Sequence, residues 1–582
     1  MTKEMDKDGL KYLAMLVDEG ERFKWEKTDA RNWELYEHFW KGEHWIDASP
    51  ENPRPVTNFC FSTIRTSTAL LTDTQPEPVA RPWDREDLVG SDVMSRIFKK
   101  IWNDQGMAEG LPGVIQDAHI FGTAFIKTFF KDGEIKSAII LPEYLGFSQD
   151  TTNVRPWNND CSYMYQKSKV SLNQIRRLFG DKAKNVKPDA SITDSLIMSR
   201  INPASRTMTN KFTDTEGQKT TEKVANASPW YAEIEGQGMA WVIEMYLFDT
   251  DKKDYRVTTF SGGEILAEKW CKEITGKAGL LPFVPFYNYK ESGQFLGRSE
   301  MQLLVPLNRT YNLLDAMLLE NIKDVGNTIW VTSTNSGVIA DKLTNGNGMV
   351  IFTIPGTDFR RDPAPQQSPE AYRMLAESKF KIDTMSGVQD VAKGIKPTGI
   401  TAGVAISELQ DAAQVPIRFK GRILQVSLNH LAHNWLELVK EFYTDESVAD
   451  VLKGMSDEHQ AFKLSHIKTK GYDIFFDVES SLGQTRDARL NKAIQLRQLG
   501  VYDERAVLEE IQSPNREEVL KRLANKQMTD AVMPLVTQMG SKALDFPEEI
   551  LAQMETMKKT GAVNKDNVSA PVMESVLENA PT

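Results

Sequence analysis

Two lysines stand in a short stretch whose composition predicts a loop able to contact phosphate groups. Lys393 and Lys396 lie within Val391–Thr401, which holds two glycines and a proline but no acidic residue. Glycine and proline interrupt helices and strands, so this stretch predicts a loop. Two cations per subunit, repeated around an oligomer, would make weak and exchangeable phosphate contacts. An ordinary solvated loop is the alternative that the same residues allow.

The motifs of common catalytic sites are missing from the sequence. It has no GxxxxGK[ST] phosphate loop, no HExxH zinc motif, no GxSxG nucleophile elbow and no kinase signature. His430 and His433 share a predicted helix and could bind a metal, but no third ligand is suggested nearby, which favours packing. Cys60, Cys161 and Cys271 lack zinc spacing and predict reduced, buried thiols. We therefore expect no enzyme, no metal and no cofactor.

Size and charge limit the class of protein further. The 582 residues exceed one compact core and predict about two to four domains. No apolar run of about 18 residues indicates a membrane span, and residues 1–27 do not resemble a signal peptide. The net charge of −11 argues against a protein that grips DNA by broad phosphate neutralisation. It is compatible with a channel that holds DNA weakly.

A long helix and a hairpin are predicted before the lysine loop. The helix runs from about Ser299 to Val325. Apolar residues recur on one face of it at steps of three and four, namely Leu304, Leu307, Tyr311, Leu314, Leu318 and Val325. The hairpin strands are predicted at Thr328–Ser333 and Met349–Ile354, with a polar Asn-Gly loop between them. Such a helix needs partner helices, because no other predicted domain covers it. Identical subunits in a closed ring would supply them.

Two further helices flank the loop. Ser368 is a plausible N-cap with Pro369 at the first helical position, and Ala371, Leu375, Ile382, Met385 and Val388 form the apolar side of this helix. The next helix is predicted from about Thr401 to Phe442. Pro416 lies inside it and should kink it, because proline removes a backbone hydrogen bond and clashes with the preceding turn.

The remaining chain reads as an α+β lobe followed by helices. Lys131-Asp132-Gly133 predicts a hairpin turn, and Trp241–Trp270 predicts a β-meander. The aromatic residues within 1–50 are expected to pack against the next segment. Residues 182–228 are polar and predict a flexible insertion. After Phe442 we expect a strand at Tyr472–Val478 and then further helices.

The order of helix, hairpin, helix, loop and kinked helix resembles the portal proteins of tailed bacteriophages, and short-tailed phages in particular. The segments that carry the resemblance are RNWELYEHFWKGEHW, RPVTNFCFSTIRTSTALLTDTQPEPVARPWD, LPFVPFYNYKESGQFLGRSEMQLLVPLNRTYNLLDAMLLEN and SGVQDVAKGIKPTGITAGVAISELQDAA. They lie within residues 30 to 500 and are many loose matches in a common order, with no single invariant motif.

The resemblance implies an α+β, mainly helical portal fold assembled as a closed ring. Its regions would be a wing (1–298), a first stem helix (299–326), a clip hairpin (327–367), a second stem helix (368–392), a tunnel loop (393–401), a kinked helix returning to the wing (402–483), a helical crown (484–560) and a disordered tail (561–582).

The resemblance also implies roles for individual residues. Lys393, Lys396, Thr398 and Thr401 would face DNA from the tunnel loop. The clip would dock the terminase or an adaptor through Arg360, Arg361, Asn345 and Asn347, although solvated charge is an equal alternative for the arginines. Stem residues that could line the channel are Asp315, Glu320, Lys323, Asp324, Glu377, Lys381 and Asp383, with some acids pairing with lysines of neighbouring subunits.

Partners follow from the same resemblance. They are further copies of the chain in a dodecamer, double-stranded DNA, the terminase large subunit, head-completion or adaptor and tail proteins, and the major capsid and scaffold proteins, with no membrane. The protein would be made in the host cytoplasm and located at the capsid vertex of the virion. Two alternatives stay open at this point: a nucleic-acid-processing enzyme with a helical arm, and a non-portal structural ring of the tail.

Overall fold

The computed structural model describes most of the first 452 residues and shorter pieces beyond them. The described ranges are 7–45, 54–73, 78–82, 88–188, 238–326, 330–339, 352–356, 358–361, 369–387, 415–452, 472–476 and 493–501, with a few one- or two-residue pieces elsewhere. The chain divides into two compact units, Met1–Leu482 and Gly483–Thr582. In the second unit residues 493–498 are helical, as the sequence predicts there.

The first unit mixes helices and strands, which confirms the α+β prediction. Its helices are α1 (Lys7–Lys27), α2 (Trp33–Lys41), α3 (Phe59–Thr72), α4 (Leu88–Asp104), α5 (Met107–Phe121), α6 (Leu172–Phe179), α7 (Lys272–Thr275), α8 (Glu300–Gly326), α9 (Pro369–Ser386), α10 (Val415–Phe442) and α11 (Asp445–Leu452). Its strands are β1 (Pro78–Pro82), β2 (Thr123–Lys131), β3 (Glu134–Ile140), β4 (Leu145–Phe147), β5 (Val154–Arg155), β6 (Asn158–Asn159), β7 (Tyr163–Ser171), β8 (Phe212–Thr213), β9 (Lys219–Thr220), β10 (Met239–Asp249), β11 (Asp254–Ser261), β12 (Glu264–Trp270), β13 (Phe283–Tyr287), β14 (Trp330–Thr332), β15 (Phe359–Arg361) and β16 (Tyr472–Phe476).

The predicted β-meander forms three strands of a five-stranded antiparallel sheet, in the order β12-β11-β10-β7-β4. Helix α1 covers part of this sheet, burying Leu13 and Leu16 beside Tyr165. The fully buried ammonium of Lys24 donates to the carbonyl oxygens of Glu143 at 2.8 Å and Leu145 at 3.1 Å. These bonds fasten the C-terminal part of α1 to the turn that leads into β4.

A second sheet has the order β13-β2-β3. Its β2–β3 hairpin confirms the prediction from Lys131-Asp132-Gly133, since Asp132 and Gly133 take positive φ values of 55° and 83°. Strand β13 pairs with β2 from more than 100 positions away along the chain. Local sequence cannot predict such a partner, because nothing in either strand specifies the other.

The largest described core lies between α10, helices α4 and α5, and the short β1–β16 pair. Trp435 of α10 is fully buried and packs beside Phe98 and Trp102 of α4. Helix α10 turns one apolar face into this core, where Leu424, Leu428, Leu431, Trp435 and Leu438 are all buried. Strand β1 lies in a proline-rich stretch and pairs with β16, within the strand that the sequence predicts at Tyr472–Val478.

The N-terminal aromatic residues pack as predicted. Trp33, Tyr36 and Phe39 are buried in a cluster that also contains residues of α3, α5 and α8. Asn58 caps α3, because its side chain accepts a hydrogen bond from the backbone N–H of Phe61 at 2.9 Å. This cluster holds the first turns of α8 in place.

Candidate channel-forming helix pair

Helices α8 and α9 pack against each other and form the core of the predicted stem. The α8 bounds, Glu300–Gly326, match the predicted helix closely, and its length is about 40 Å at about 1.5 Å per residue. Ile382, near the end of α9, shares a buried cluster with Met301 and Leu304, near the start of α8. The pair is therefore antiparallel.

Helix α9 is shorter than the predicted region 368–392. It begins at Pro369, as predicted, and ends at Ser386. Gly387 follows with a φ of 64°, a left-handed conformation that ends a helix and favours glycine. Residues 388–392 lie outside the described ranges.

Large apolar side chains of both helices point into solvent. They are Leu313, Met317, Leu319 and Ile322 of α8, and Tyr372, Met374, Phe380 and Met385 of α9. Phe380 is 70% exposed. At 100° per residue Phe380 lies opposite the buried Ile382, while Tyr372 and Met374 lie on the two flanks. Met385, which the sequence assigns to the same apolar side as Ile382, is about half exposed. Apolar surface on both flanks is suited to two neighbours, one on each side.

Two asparagines attach α8 to the N-terminal region. The Asn308 side chain accepts hydrogen bonds from the N–H groups of Phe59 (3.0 Å) and Cys60 (3.2 Å) and donates to the carbonyl oxygen of Thr57 (2.9 Å). One turn later, Asn312 accepts from the Thr57 N–H at 3.1 Å and donates to Nδ1 of His44. The Asn308 contacts satisfy N–H groups at the start of α3 that have no partner within that helix.

His44 completes this attachment as a neutral imidazole. Its Nε2 donates to the carbonyl oxygen of Phe39 at 3.1 Å, so Nδ1 is free to accept from Asn312. Burial lowers the pKa of His44, which favours this neutral form. The N-terminal segment and the first half of α8 are thus joined by hydrogen bonds whose donors and acceptors match.

The start of α8 is also fixed to the end of α5. Ser299 caps α8 by accepting from the Met301 N–H at 2.9 Å, and its hydroxyl reaches the carbonyl oxygen of Ile120 at 2.6 Å. Gly122 follows α5 with a φ of 85°, and a Cβ there would come within 2.1 Å of the Gly297 carbonyl oxygen. Glycine is required at this crossing because no side chain fits between the two backbones.

A buried ion pair joins α8 to α10. Lys420 Nζ lies 2.6 Å from Glu300 Oε2, and the two side chains are 4% and 0% exposed. Asn288 donates to the same carboxylate oxygen at 3.2 Å. Glu300 is the first residue of α8, where a negative charge is favoured by the helix dipole. Neither residue was singled out from the sequence as a site.

The clip hairpin forms with a different partner strand from the predicted one. Strand β14 pairs with β15, so that Trp330 lies opposite Arg361 and Thr332 opposite Phe359. The prediction that Met349–Ile354 is the second strand is wrong for its described part, since residues 352–354 are not in a strand. Ile354 N–H instead donates to the carbonyl oxygen of Ser336 at 3.1 Å, beyond the ribbon. Strand propensity depends on composition alone. It cannot predict which of two short extended runs the folded chain brings into register with β14.

Apolar side chains are also exposed beyond the ribbon. Phe352 is 86% exposed, and Ile339 and Ile354 are each more than half exposed. Ile354 packs against the region of Gly337, since a Cβ at Gly337 would lie 3.4 Å from its side chain. These three residues, called the clip patch below, offer an apolar contact that the sequence did not suggest.

A sequence model described as the phage P22-like portal protein family matches residues 25–566. The chain belongs to this family. No curated protein matches it at the level searched. The match covers nearly the whole chain and confirms the resemblance to portals of tailed, short-tailed phages. Portal proteins are in general structural components that form homo-oligomeric rings at the capsid vertex and associate with capsid and terminase.

The predicted channel-lining residues of this portal fall in two groups. Glu320, Lys323, Glu377 and Lys381 are exposed, whereas Asp315 and Asp383 are half-buried. Lys381 pairs with Glu377 of its own helix at 2.9 Å. Because both side chains are more than half exposed, this pair contributes little stability and can exchange partners. Asp324 lies near the end of α8, and its side chain is outside the described part.

The predicted tunnel loop (393–401) lies outside the described residues, and so do its candidate site residues Lys393, Lys396, Thr398 and Thr401 and the predicted clip residues Asn345 and Asn347. The two ends that flank the loop are described and lie together. A Cβ at Gly387 would come within 3.2 Å of the Pro416 side chain. Pro416 is the second residue of the described α10, and the residues just before it lie outside the described ranges, so the kink stays a prediction. Arg360 and Arg361 lie on β15, at the base of the clip.

Of the two helix histidines, His430 packs in the interior and the His433 side chain is 31% exposed. His430 is 1% exposed. Burial is the main cause that lowers its pKa to about 3, and the charge of the neighbouring His433 is the next largest cause. Within the described ranges no group of three or more His, Cys, Asp or Glu side chains is placed to hold a metal ion. Among the described helices none is both long and apolar enough to cross a bilayer.

Proposed function

We propose that this chain is the portal subunit that forms the ring at the capsid vertex of a tailed phage. Double-stranded DNA passes through this ring during packaging and ejection, and the ring docks the terminase motor and later the adaptor and tail proteins. The family match over residues 25–566 carries the proposal. Energy for packaging comes from the terminase, and the portal provides a passage of defined shape and charge.

The exposed apolar residues of α8 and α9 support ring formation. An isolated subunit leaves eight large apolar side chains of these two helices in water. A neighbouring helix pair covers one flank and a second neighbour covers the other, and this head-to-tail contact closes into a ring. A dodecamer is the expected closure for this family.

The charge of the helix pair supports weak contact with DNA. The two helices together carry seven acidic and five basic residues. A wall that is close to neutral and slightly acidic neutralises few phosphates, so DNA slides along it without strong binding. The channel-lining role of Asp315, Glu320, Lys323, Asp324, Glu377, Lys381 and Asp383 belongs to this proposal.

The tunnel-loop lysines provide the attractive contacts in this proposal. The double variant Lys393→Ala/Lys396→Ala should assemble rings normally and lose packaging or retention of DNA, because the weak phosphate contacts are removed while the stem is untouched. A matched double variant, Lys99→Ala/Lys100→Ala on α4, removes the same charge from exposed positions outside the proposed channel and should package DNA as wild type does. If the loop variant packages DNA as well as wild type, the loop does not contact DNA.

The clip patch, with Arg360 and Arg361 on β15, is the docking surface for the terminase and the adaptor in this proposal. Phe352→Ser should leave the ring intact and weaken terminase binding, because Phe352 is already 86% exposed in the free subunit. Ile139→Ser, at a half-exposed position of β3, is the matched control. Unchanged terminase binding by the Phe352 variant would remove this surface from the proposal.

Imaging of the purified protein by negative-stain electron microscopy, with mass measured in solution, tests the function as a whole. A closed ring with an axial hole wide enough for duplex DNA is the expected result. A stable small oligomer without a hole would contradict it. Nuclease or ATPase turnover that a point variant abolishes would instead favour the enzyme alternative.

A further inference from the structure

Lys420 of the buried Glu300–Lys420 pair lines a small cavity. The cavity measures about 20 Å³ and is lined by nine residues, five of them apolar. The other four, His119, Tyr287, Asn288 and Lys420, carry polar side-chain groups. A space of about 10–15 Å³ on this measure is enough for one water molecule. The cavity is therefore large enough for a water and too small for an organic ligand.

One buried oxygen atom next to the pair, Asn288 Oδ1, has no hydrogen-bond partner among the described residues, on a side chain that is 2% exposed. Lys420 directs one N–H to Glu300 Oε2, and its ammonium lies 4.8 Å from the centre of the Tyr289 ring. An ammonium has three donors, so Lys420 can also donate to a water. An unpaired buried donor or acceptor destabilises the fold, which favours a bound water here.

We propose that one ordered water molecule occupies this cavity, accepts a hydrogen bond from Lys420 and donates to Asn288 Oδ1. It completes a hydrated ion pair that fixes the first turns of α10 against the start of α8. Lys420 is thus a positioning residue, one helical turn after Pro416.

The Glu300–Lys420 pair and its water lie where α10 meets the near ends of α8 and α9. Pro416 contacts the Gly387 position at the end of α9, and Lys420 on the next turn contacts the start of α8. One short part of α10 therefore joins the near ends of both stem helices. Loss of the pair frees this part of α10 to shift relative to the stem.

Buried ion pairs of this kind have a characteristic response to mutation. Removal of one partner leaves an uncompensated charge, whereas removal of both is close to neutral. In Lys420→Met the Glu300 carboxylate has lost its cation, so folding requires it to take up a proton. The melting temperature of this variant should fall well below that of wild type at about pH 8 and recover as the pH is lowered to about 5.

The titratable groups that face Glu300 and Lys420 do not contribute to the pH dependence of the melting temperature between about pH 5 and 8. They are Tyr289, His119 of α5 and Cys60 of α3. Burial raises the pKa of Cys60 to about 12. Burial, and to a smaller extent the charge of Glu300, raises the pKa of Tyr289. Burial, and to a smaller extent the charge of Lys420, keeps the pKa of His119 well below its usual value. None of the three titrates in this range, so the pH dependence reports on Glu300.

The experiment combines melting curves with a high-resolution density map of the full-length protein. We expect a melting temperature for Lys420→Met that rises as the pH falls, and a flat one for Lys420→Met/Glu300→Gln. The control Lys381→Met breaks the exposed pair with Glu377 and should behave as wild type. An Lys420→Met variant without this pH dependence would refute the ion pair, and a map with an empty cavity would refute the water. Neither result depends on ring formation, so the portal proposal is tested separately.

Discussion

Substitution of Phe380 by serine tests whether the stem helices form the ring interface. Phe380 is 70% exposed in the isolated subunit, so serine should change the free energy of unfolding of the subunit by no more than about 0.5 kcal/mol. Full burial of a phenylalanine side chain stabilises by about 1.5–3 kcal/mol. Burial of the exposed 70% in an interface corresponds to about 1–2 kcal/mol for each contact.

That energy predicts a measurable change in assembly. A loss of about 1–2 kcal/mol weakens each subunit contact about 5- to 30-fold, and the loss recurs at every interface of the ring. Sedimentation velocity across a range of concentrations should show rings of the Phe380→Ser variant dissociating where wild-type rings persist. Phe380→Leu keeps an apolar side chain and is the matched control.

Two results would refute this reasoning. Rings of Phe380→Ser that persist to the same dilution as wild-type rings would show that this side of α9 faces the channel or solvent. A large fall in the melting temperature of the unassembled subunit would show that Phe380 stabilises the subunit itself. In either case the ring interface must use other surfaces.

Three further predictions concern the frame around the stem. Asn308→Ala should lower the free energy of unfolding by about 1–3 kcal/mol, because it leaves the Cys60 N–H unpaired, while the Phe59 N–H and the Thr57 carbonyl keep only their bond to each other. A loss below about 0.5 kcal/mol in chemical denaturation would contradict this. Burial alone would raise the pKa of Glu21, but the charges of Lys24 and Lys167 lower it from 4.5 to about 2. Glu21 therefore stabilises the fold above about pH 4.5 and loses this effect as the pH falls towards 2; Glu21→Gln should remove that part of the acid sensitivity of the melting temperature. Pro416→Ala should straighten α10 near its start, and a density map of the variant with an unchanged bend would show that proline is not the cause.

The sequence predicted the bounds of α8 and the start of α9 with good accuracy. Regular apolar spacing predicted α8 within one residue at each end, and Ser368-Pro369-Glu370 marked the start of α9. The Lys131-Asp132-Gly133 signal also identified the β2–β3 turn. Each of these features depends on residues within a few positions of one another, which is why sequence reasoning reached them.

Local patterns could not determine which segments meet across the chain. The apolar run Met349–Ile354 has the stronger strand signal, yet the run that pairs with β14 is the charged Phe359–Arg361, further along the chain. Asn308 and Asn312 occupy ordinary helical positions, and their role appears only when α8 lies against the start of α3. Their spacing of four residues, which places both on one face of α8, is a local hint of it.

Sequence alone identified the family and the helices α8 and α9 on either side of a strand pair. Tertiary structure decided that Glu300 and Lys420 form a buried pair, that Gly387 meets Pro416, and that the apolar residues on the flanks of α9 stay uncovered in one subunit. Helical periodicity depends on residues that are three or four positions apart in the sequence. Burial and ion pairing depend on the packing of segments far apart along the chain, 120 positions for Glu300 and Lys420 and 251 for Asn308 and Thr57.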